Sequence, residues 1–274
     1  MTVAGLDQAR VITARSRGRA SDVWRFRDLF GSLVTRDLSA KYHSSVLGFL
    51  WTLLNPLIML VVLASVFTHV IRVPIGNYWA FLLSGYFVWN CAQQCLASAT
   101  YVLQQHASLS RSAAFPSEVL PLSAATAKHF EFVIELALVV VVLAVFHHQG
   151  VPASLALLPM LILLQFVLVA GLMYPIAVLS VLFRDIQHAL PLAITTLFYL
   201  SPVFYSTDLV PESVRGLYMI NPFAGLLSLY HAVLFDGRFP SVMMLAWVTT
   251  LALVSYGAGY AIFRRYKSLC VEVA

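Results

Sequence analysis

Charge is what this 274-residue chain has least of. Only 11% of its residues are Asp, Glu, Lys or Arg, against 60% hydrophobic, where a soluble domain carries about a quarter charged residues. The shortage excludes a water-soluble globule and leaves an integral membrane protein. Lysine is scarcer still: Lys41, Lys128 and Lys267 follow Ala40, Ala127 and Tyr266. None stands in the Gly-Lys-Ser/Thr context of a phosphate-cradling loop, where backbone N–H groups hold the phosphate and the lysine reaches it. If this chain moves cargo uphill with ATP, another polypeptide must hydrolyse it. Neither a Gly-x-Ser-x-Gly elbow nor a His-Glu-x-x-His pattern is present, and no catalytic residue or metal site is expected. The cysteines are three, Cys91, Cys95 and Cys270. Two of them sit one helical turn apart in an apolar stretch, which argues against a disulfide framework. A Cys-x-x-x-Cys pair is a weak metal signal, and with no histidine or carboxylate nearby it reads as two small buried hydrophobes.

The apolar runs are long. They read as spans at 46–71, 79–104, 121–147, 153–182, 187–206 and 242–263, each at least the roughly 20 residues that a helix needs to cross a bilayer. Uninterrupted apolarity means helices, since barrel strands would alternate. Residues 1–20, with Arg10, Arg15, Arg17 and Arg19, lack periodicity and are expected to form a mobile cytoplasmic tail. In 21–45, Ser21 is a plausible N-cap, and Val23, Phe26, Leu29, Phe30, Leu33, Val34 and Leu38 recur at helical spacing. This segment predicts an amphipathic helix in the headgroup layer. Residues 46–274 then form an all-α, six-helix transmembrane domain, with polar segment 105–118 between the second and third spans.

Orientation follows from the basic residues. Eight lie in residues 1–45, and Arg111, Arg184, Arg264, Arg265 and Lys267 fall on the same side of six spans. Arg72, Arg215 and Arg238 fall on the other. The imbalance puts both termini in the cytoplasm, and basic charge so placed is not a nucleic-acid signal. Inside the third span, Lys128, Glu131 and Glu135 share one face, as a Lys–Glu pair near the cytoplasmic end or as a proton relay. Arg184 and Asp185 are expected to neutralise one another at a span junction. The segment 207–240, punctuated by Pro211, Pro222 and Pro240, predicts two short helices at 210–220 and 223–235 that dip back from the outer side. Tyr218, Tyr230 and Phe235 would anchor them at the interface. Trp51, Trp89, Tyr199, Phe204 and Tyr205 are candidates to line a route, because sugar rings pack their apolar faces on aromatic rings.

Five motifs occur in the order found in one family. Arg36-Asp37-Leu38, Lys41-Tyr42, Ser45, Leu47-Gly48, Trp51 and Asn55-Pro56 lead into the first span. Phe115-Pro116-Ser117-Glu118-Val119-Leu120-Pro121, Phe183-Arg184-Asp185-Ile186, Ser201-Pro202-Val203-Phe204-Tyr205 and Asn221-Pro222 follow. Across residues 22–266 the chain resembles the polysaccharide-exporting ABC permeases (type-2 ABC exporters), which serve O antigen, teichoic acid and capsule. The resemblance implies a homodimer with two separate ATP-binding cassette subunits in the bacterial inner membrane. Those subunits carry the ATP and magnesium, and the dimer passes a lipid-linked polysaccharide outward. It also implies that segment 106–118 seats the ATPase, with Arg111, Phe115, Pro116 and Glu118 in contact. Arg25, Arg36 and Lys41 would hold the lipid headgroup, and the 207–240 helices, with Tyr218, Pro222 and Tyr230, would form an outer gate. The nearest branches are O-antigen and teichoic-acid export; capsule export and a proton-coupled lipid-linked sugar flippase are the alternatives. The tail after Arg264-Arg265-Tyr266-Lys267 departs from the family's acidic, aromatic ending.

Overall fold

The computed structural model describes residues 27–42, 50–106 and 116–273. The expected tail 1–20, Arg25, Arg111, Phe115 and the side chain of Lys41 lie outside the described residues. Every described element is helical. Helix α1 is Arg27–Tyr42, and α2 is Leu50–Ser65, continued by a wider turn to Ile71. Helix α3 is Tyr78–Ala99, α4 the single turn Val102–Gln105, and α5 Val119–Phe146. Helix α6 (Leu158–Leu182) follows a short 3-10 turn, and α7 is Ile186–Tyr199. The short pair α8 (Glu212–Tyr218) and α9 (Pro222–Tyr230, continued to Phe235) precedes α10 (Val242–Val273).

Four stretches are long and apolar enough to cross a bilayer: Leu54–Ile71, Val119–Phe146, Ala153–Leu182 and Val242–Lys267. The pair α8–α9, bent by 101°, would add a fifth if it were one span. Two of the six expected spans therefore do not meet that standard alone. Helix α3 has the length, since its 22 residues rise about 33 Å. It is not apolar enough, because Asn90, Gln93 and Gln94 interrupt it: Gln93 stands exposed and accepts from Trp89 Nε1 at 3.1 Å, and Ser84 is buried. Helix α7 is short: its 14 residues rise about 21 Å.

Hydrogen bonds sort the helix ends into two groups. At one end, Tyr78 Oη at the start of α3 donates to Phe204 O beyond α7 (2.8 Å), and Trp247 Nε1 near the start of α10 donates to Met219 O (3.1 Å). His147, just past α5, reaches Phe235 O at the end of α9 (3.0 Å). At the other end, Gln104 Nε2 donates to Ser180 O on α6 (3.4 Å), and Gln187 Nε2 on α7 donates to Gln104 Oε1 (3.1 Å). Lys267 Nζ on α10 donates to Glu118 Oε1 (2.7 Å). Helices α3, α5, α6, α7 and α10 each run from one group to the other. The α8–α9 pair starts and finishes at the first.

The bundle is built on α6, whose Leu161, Leu168, Val169, Met173 and Tyr174 are fully buried. Its main neighbour is α10, and the two backbones touch. Pro175 inside α6 has no N–H to give, so the Gly171 carbonyl one turn earlier lacks its helical donor. Gly259 of α10 turns a Cα–H at that oxygen; a Cβ in its place would collide with Gly171 O. A Cβ on Gly171 would in turn stand 2.5 Å from Tyr256 N. Small residues at such a crossing let helices approach closely where lipid supplies no hydrophobic push. Tyr174 then seats among the rings of Tyr256, Tyr260 and Phe263.

Arg184 and Asp185 make no ion pair with each other. Both stand exposed on the turn before α7, where neighbouring side chains diverge. The Lys128–Glu131 pair does form, at 3.7 Å, with the carboxylate buried.

Gly259→Ala should force α6 and α10 apart and destabilise the protein by about 1–3 kcal/mol, as overpacking does. Gly257→Ala, two residues along, meets nothing within 4 Å and should be neutral or slightly stabilising. Thermal unfolding of both variants in detergent distinguishes them; equal midpoints would contradict the backbone contact.

Candidate functional site

At the first end the pair α8–α9 is joined to the bundle by histidine, serine and asparagine side chains, while its charged groups pair within the segment, Arg215 Nη2 donating to Val210 O (3.2 Å) and Arg238 Nε to Asp236 (2.9 Å). The helical ladder widens after Tyr230, and the last carbonyls of α9 are taken up from outside it. Ser154 Oγ donates to Val233 O (3.0 Å), His148 Nε2 to Leu234 O (2.7 Å) and His147 Nε2 to Phe235 O (3.0 Å). The His147 ring also stacks on Phe235 at 5.0 Å. Asn221 starts α9: its Oδ1 accepts from Phe223 N (3.0 Å), and its Nδ2 donates to Leu200 O (3.0 Å) and Ser201 Oγ (2.9 Å). Pro222 follows at the first helical position, where its missing N–H costs nothing.

His231 joins three elements. Its Nε2–H donates to Pro202 O (2.8 Å), Nδ1 faces Ser84 Oγ of α3 (2.7 Å), and the ring stacks on Phe81 at 4.0 Å. Gly85 makes room, since a Cβ there would come within 2.8 Å of the ring. Sequence reasoning missed His231, His147, His148 and Ser154 as structural rivets, because their partners are carbonyls far along the chain.

The candidate gate residues separate. Tyr218 Oη donates to Tyr205 Oη at 3.1 Å, linking α8 to the loop after α7. Tyr230 is a correction: it is wholly buried against Phe132 instead of anchoring at an interface. The reason is register, which turns it from the helix surface into the bundle. The route aromatics divide likewise. Trp51 is 48% exposed and Tyr199 62%. Phe204 packs between Tyr199 and Phe67, with Tyr205 against it. Trp89, at 2% exposure, is a core residue between Phe198 and Phe223.

At the second end charge does the work. Glu118 is buried, its Oε1 in the Lys267 ion pair, with Pro116 O supporting the first turn of α5. It is thus tied to α10 in its own chain. Arg36 Nη2 of α1 donates to His106 Nδ1 at 3.5 Å. Burial, then the Arg36 charge, pull the His106 pKa below its ordinary 6.5, with Asp37 opposing. Leu33 of α1 is buried against the bundle, so the helix spends part of its apolar stripe on protein.

One cluster contradicts the reading of the sequence. A histidine does lie beside the cysteines: His129 of α5 stands next to Cys95, Nδ1 to Sγ 3.9 Å. Only the packing of α3 on α5 brings them together.

The family described as ABC-2 type transporter matches residues 28–235. The O-antigen export system permease protein RfbA of Myxococcus xanthus is 32% identical over 253 residues, covering 92% of this chain and 97% of that protein. A protein of the same name from Klebsiella pneumoniae is 27% identical over 249 residues, 90% of this chain and 95% of its own. The polysialic acid transport protein KpsM of Escherichia coli is 20% identical over 242 residues, 85% and 91%.

Arg36→Gln should raise the His106 pKa toward 6.5, read from the pH titration of its ring NMR signals. Because the folded-state pKa is depressed, stability tied to the neutral ring is complete above 6.5. It is lost as pH falls from there through the folded value. An unchanged or lower pKa in the variant would contradict the pairing.

Proposed function

This chain belongs to the ABC-2 type transporter family, and from that premise we propose that it is the membrane permease subunit of an exporter for a lipid-linked polysaccharide, O antigen. A separate ATPase subunit supplies the energy. The two relatives named for O-antigen export cover nearly the whole chain, whereas the capsule-type relative is more distant.

The observation that carries the transport reading is what the bundle leaves open. Only 11% of the apolar window of α2 is buried, and Trp51, Ile58, Val61 and Val62 stand exposed along it. Leu192 and Tyr199 of α7 are exposed as well. Two such faces, apolar but carrying aromatic rings, suit a second copy of the chain with a polymer passing between. We read α2, α3, α5, α6, α7 and α10 as six crossings and α8–α9 as an outer re-entrant gate, with both termini in the cytoplasm of an inner membrane. Segment 106–118 would seat the ATPase through Arg111 and Phe115, with Pro116 setting the turn. Arg25, Arg36 and Lys41 would meet the pyrophosphate of the lipid carrier. The flippase alternative loses support because Lys128 already neutralises Glu131.

The mechanism follows from the inner ion pair. Closure of the ATPase subunits moves the segment before α5, and Glu118 passes that motion to α10 through Lys267. In proteoliposomes with its ATPase, the chain should move lipid-linked polysaccharide only when ATP is present. Glu118→Arg and Lys267→Glu should each lower coupled ATP hydrolysis about tenfold, the loss of a charge-assisted bond of roughly 1.4 kcal/mol. The double exchange should recover much of it. Transport without the ATPase subunit would overturn the function, and a double variant as poor as the singles would overturn the coupling route.

A further inference from the structure

Cys91 and Cys95, one turn apart on α3, share a face with His129 of α5 across the helix contact. One ligand atom from each of the three lies within 4.8 Å of the others, and all three residues are buried. The thiols lie against one another and against the Gln165 amide. Cys91 Sγ has a 3.9 Å approach to Lys128 O, and Cys95 Sγ the 3.9 Å approach to His129 Nδ1. His129 Nδ1 donates to Ala125 O at 2.9 Å, which leaves Nε2 as the bare nitrogen, and that atom is buried with no hydrogen-bond partner. Gln165 of α6 lies beside Cys91. Its Nε2 is spent on Val88 O (3.3 Å), while its Oε1 is buried and unpartnered. Two bare acceptors in an apolar core ask for a partner.

We propose that Cys91, Cys95 and His129 bind a thiophilic divalent cation, zinc, that pins α3 to α5. Two thiolates and an imidazole suit zinc and do not suit magnesium or calcium, which take oxygen. Around tetrahedral zinc the ligand atoms stand roughly 3.5–3.8 Å apart, so the cluster must contract by about an ångström. Because Nδ1 is the nitrogen now next to Cys95, the His129 ring must also swing about its bond to Ala125 O to present Nε2. The carbonyl bond at Nδ1 fixes the ring as a second-sphere acceptor does in metal sites. The Gln165 amide faces Cys91 with its N–H, so its Oε1 reaches the fourth position only after the amide turns over, and a water fills that position otherwise. Each thiol releases its proton on binding, so two thiolates balance the dication, while Glu135 beside Cys91 and Lys128 beside Cys95 bring opposite charges next to the site. This inference does not rest on the export function.

The test uses the full chain, expressed with zinc in the medium and purified in detergent under reducing conditions through a histidine-free tag. Elemental analysis should find about one zinc per chain, and X-ray absorption at the zinc edge should find two sulfur neighbours at about 2.3 Å. The double variant Cys91→Ser, Cys95→Ser should lose at least tenfold of that zinc, and Cys270→Ser should retain it. His129→Gln keeps both thiols and should lose the nitrogen neighbour and most of the metal, even if the double serine variant does not fold. A wild-type chain free of zinc, zinc without sulfur neighbours, or undiminished zinc in the serine variant would each overturn the site.

Discussion

A backbone carbonyl inside a bilayer has no water to turn to, and this bundle is organised around the few that its own helices release. Pro175 frees the Gly171 carbonyl in the middle of α6. Only another backbone, brought in at a glycine, fits against it, and Gly259 does so. That contact sets the crossing of α6 and α10. The crossing in turn carries Lys267 to Glu118 at one end of α10 and Val248 against Gly225 of α9 near the other. The widened turn at the end of α9 releases three more carbonyls, which Ser154, His148 and His147 take up.

The two ends of the molecule thereby acquire different chemistry. The end that holds Glu118–Lys267 and Arg36–His106 is joined through charged groups. The end at α8–α9 is joined to the bundle by histidine, serine and asparagine side chains on carbonyls and by stacked rings, and its charged groups, Arg215 on Val210 O and Arg238 on Asp236, pair within the segment. Neutral bonds of this kind contribute about 1 kcal/mol each and can open without leaving a charge bare in a low-dielectric medium. A segment held this way can yield to a push from elsewhere.

The family was legible because short motifs such as Phe183-Arg184-Asp185-Ile186 and Asn221-Pro222 sit at helix junctions, where local chemistry dictates the residue type. Asn221 is a working N-cap with Pro222 after it. The paired short helices of 207–240 were legible for the same reason, proline being unambiguous punctuation. Helices α3 and α7 are the two expected spans that length and apolarity alone do not mark, α3 because Asn90, Gln93 and Gln94 interrupt it and α7 because it is short. Residue roles were less legible. Tyr230 looked interfacial by type and Trp89 fit to line a route, yet their register turns both inward. Contacts that join distant segments left no local trace: His231 on Pro202, His129 beside Cys95, Lys267 on Glu118.

The central claim is that α8–α9 enters and leaves by the outer face while α10 returns to the cytoplasm. Single cysteines at Leu209 and Arg238, placed in a chain that keeps the buried Cys91 and Cys95 and has serine at Cys270, test it with a membrane-impermeant maleimide. Both positions should react from outside intact spheroplasts, and neither should react in sealed inside-out vesicles. Labelling of the two positions from opposite faces would make the pair a single crossing and would contradict the account.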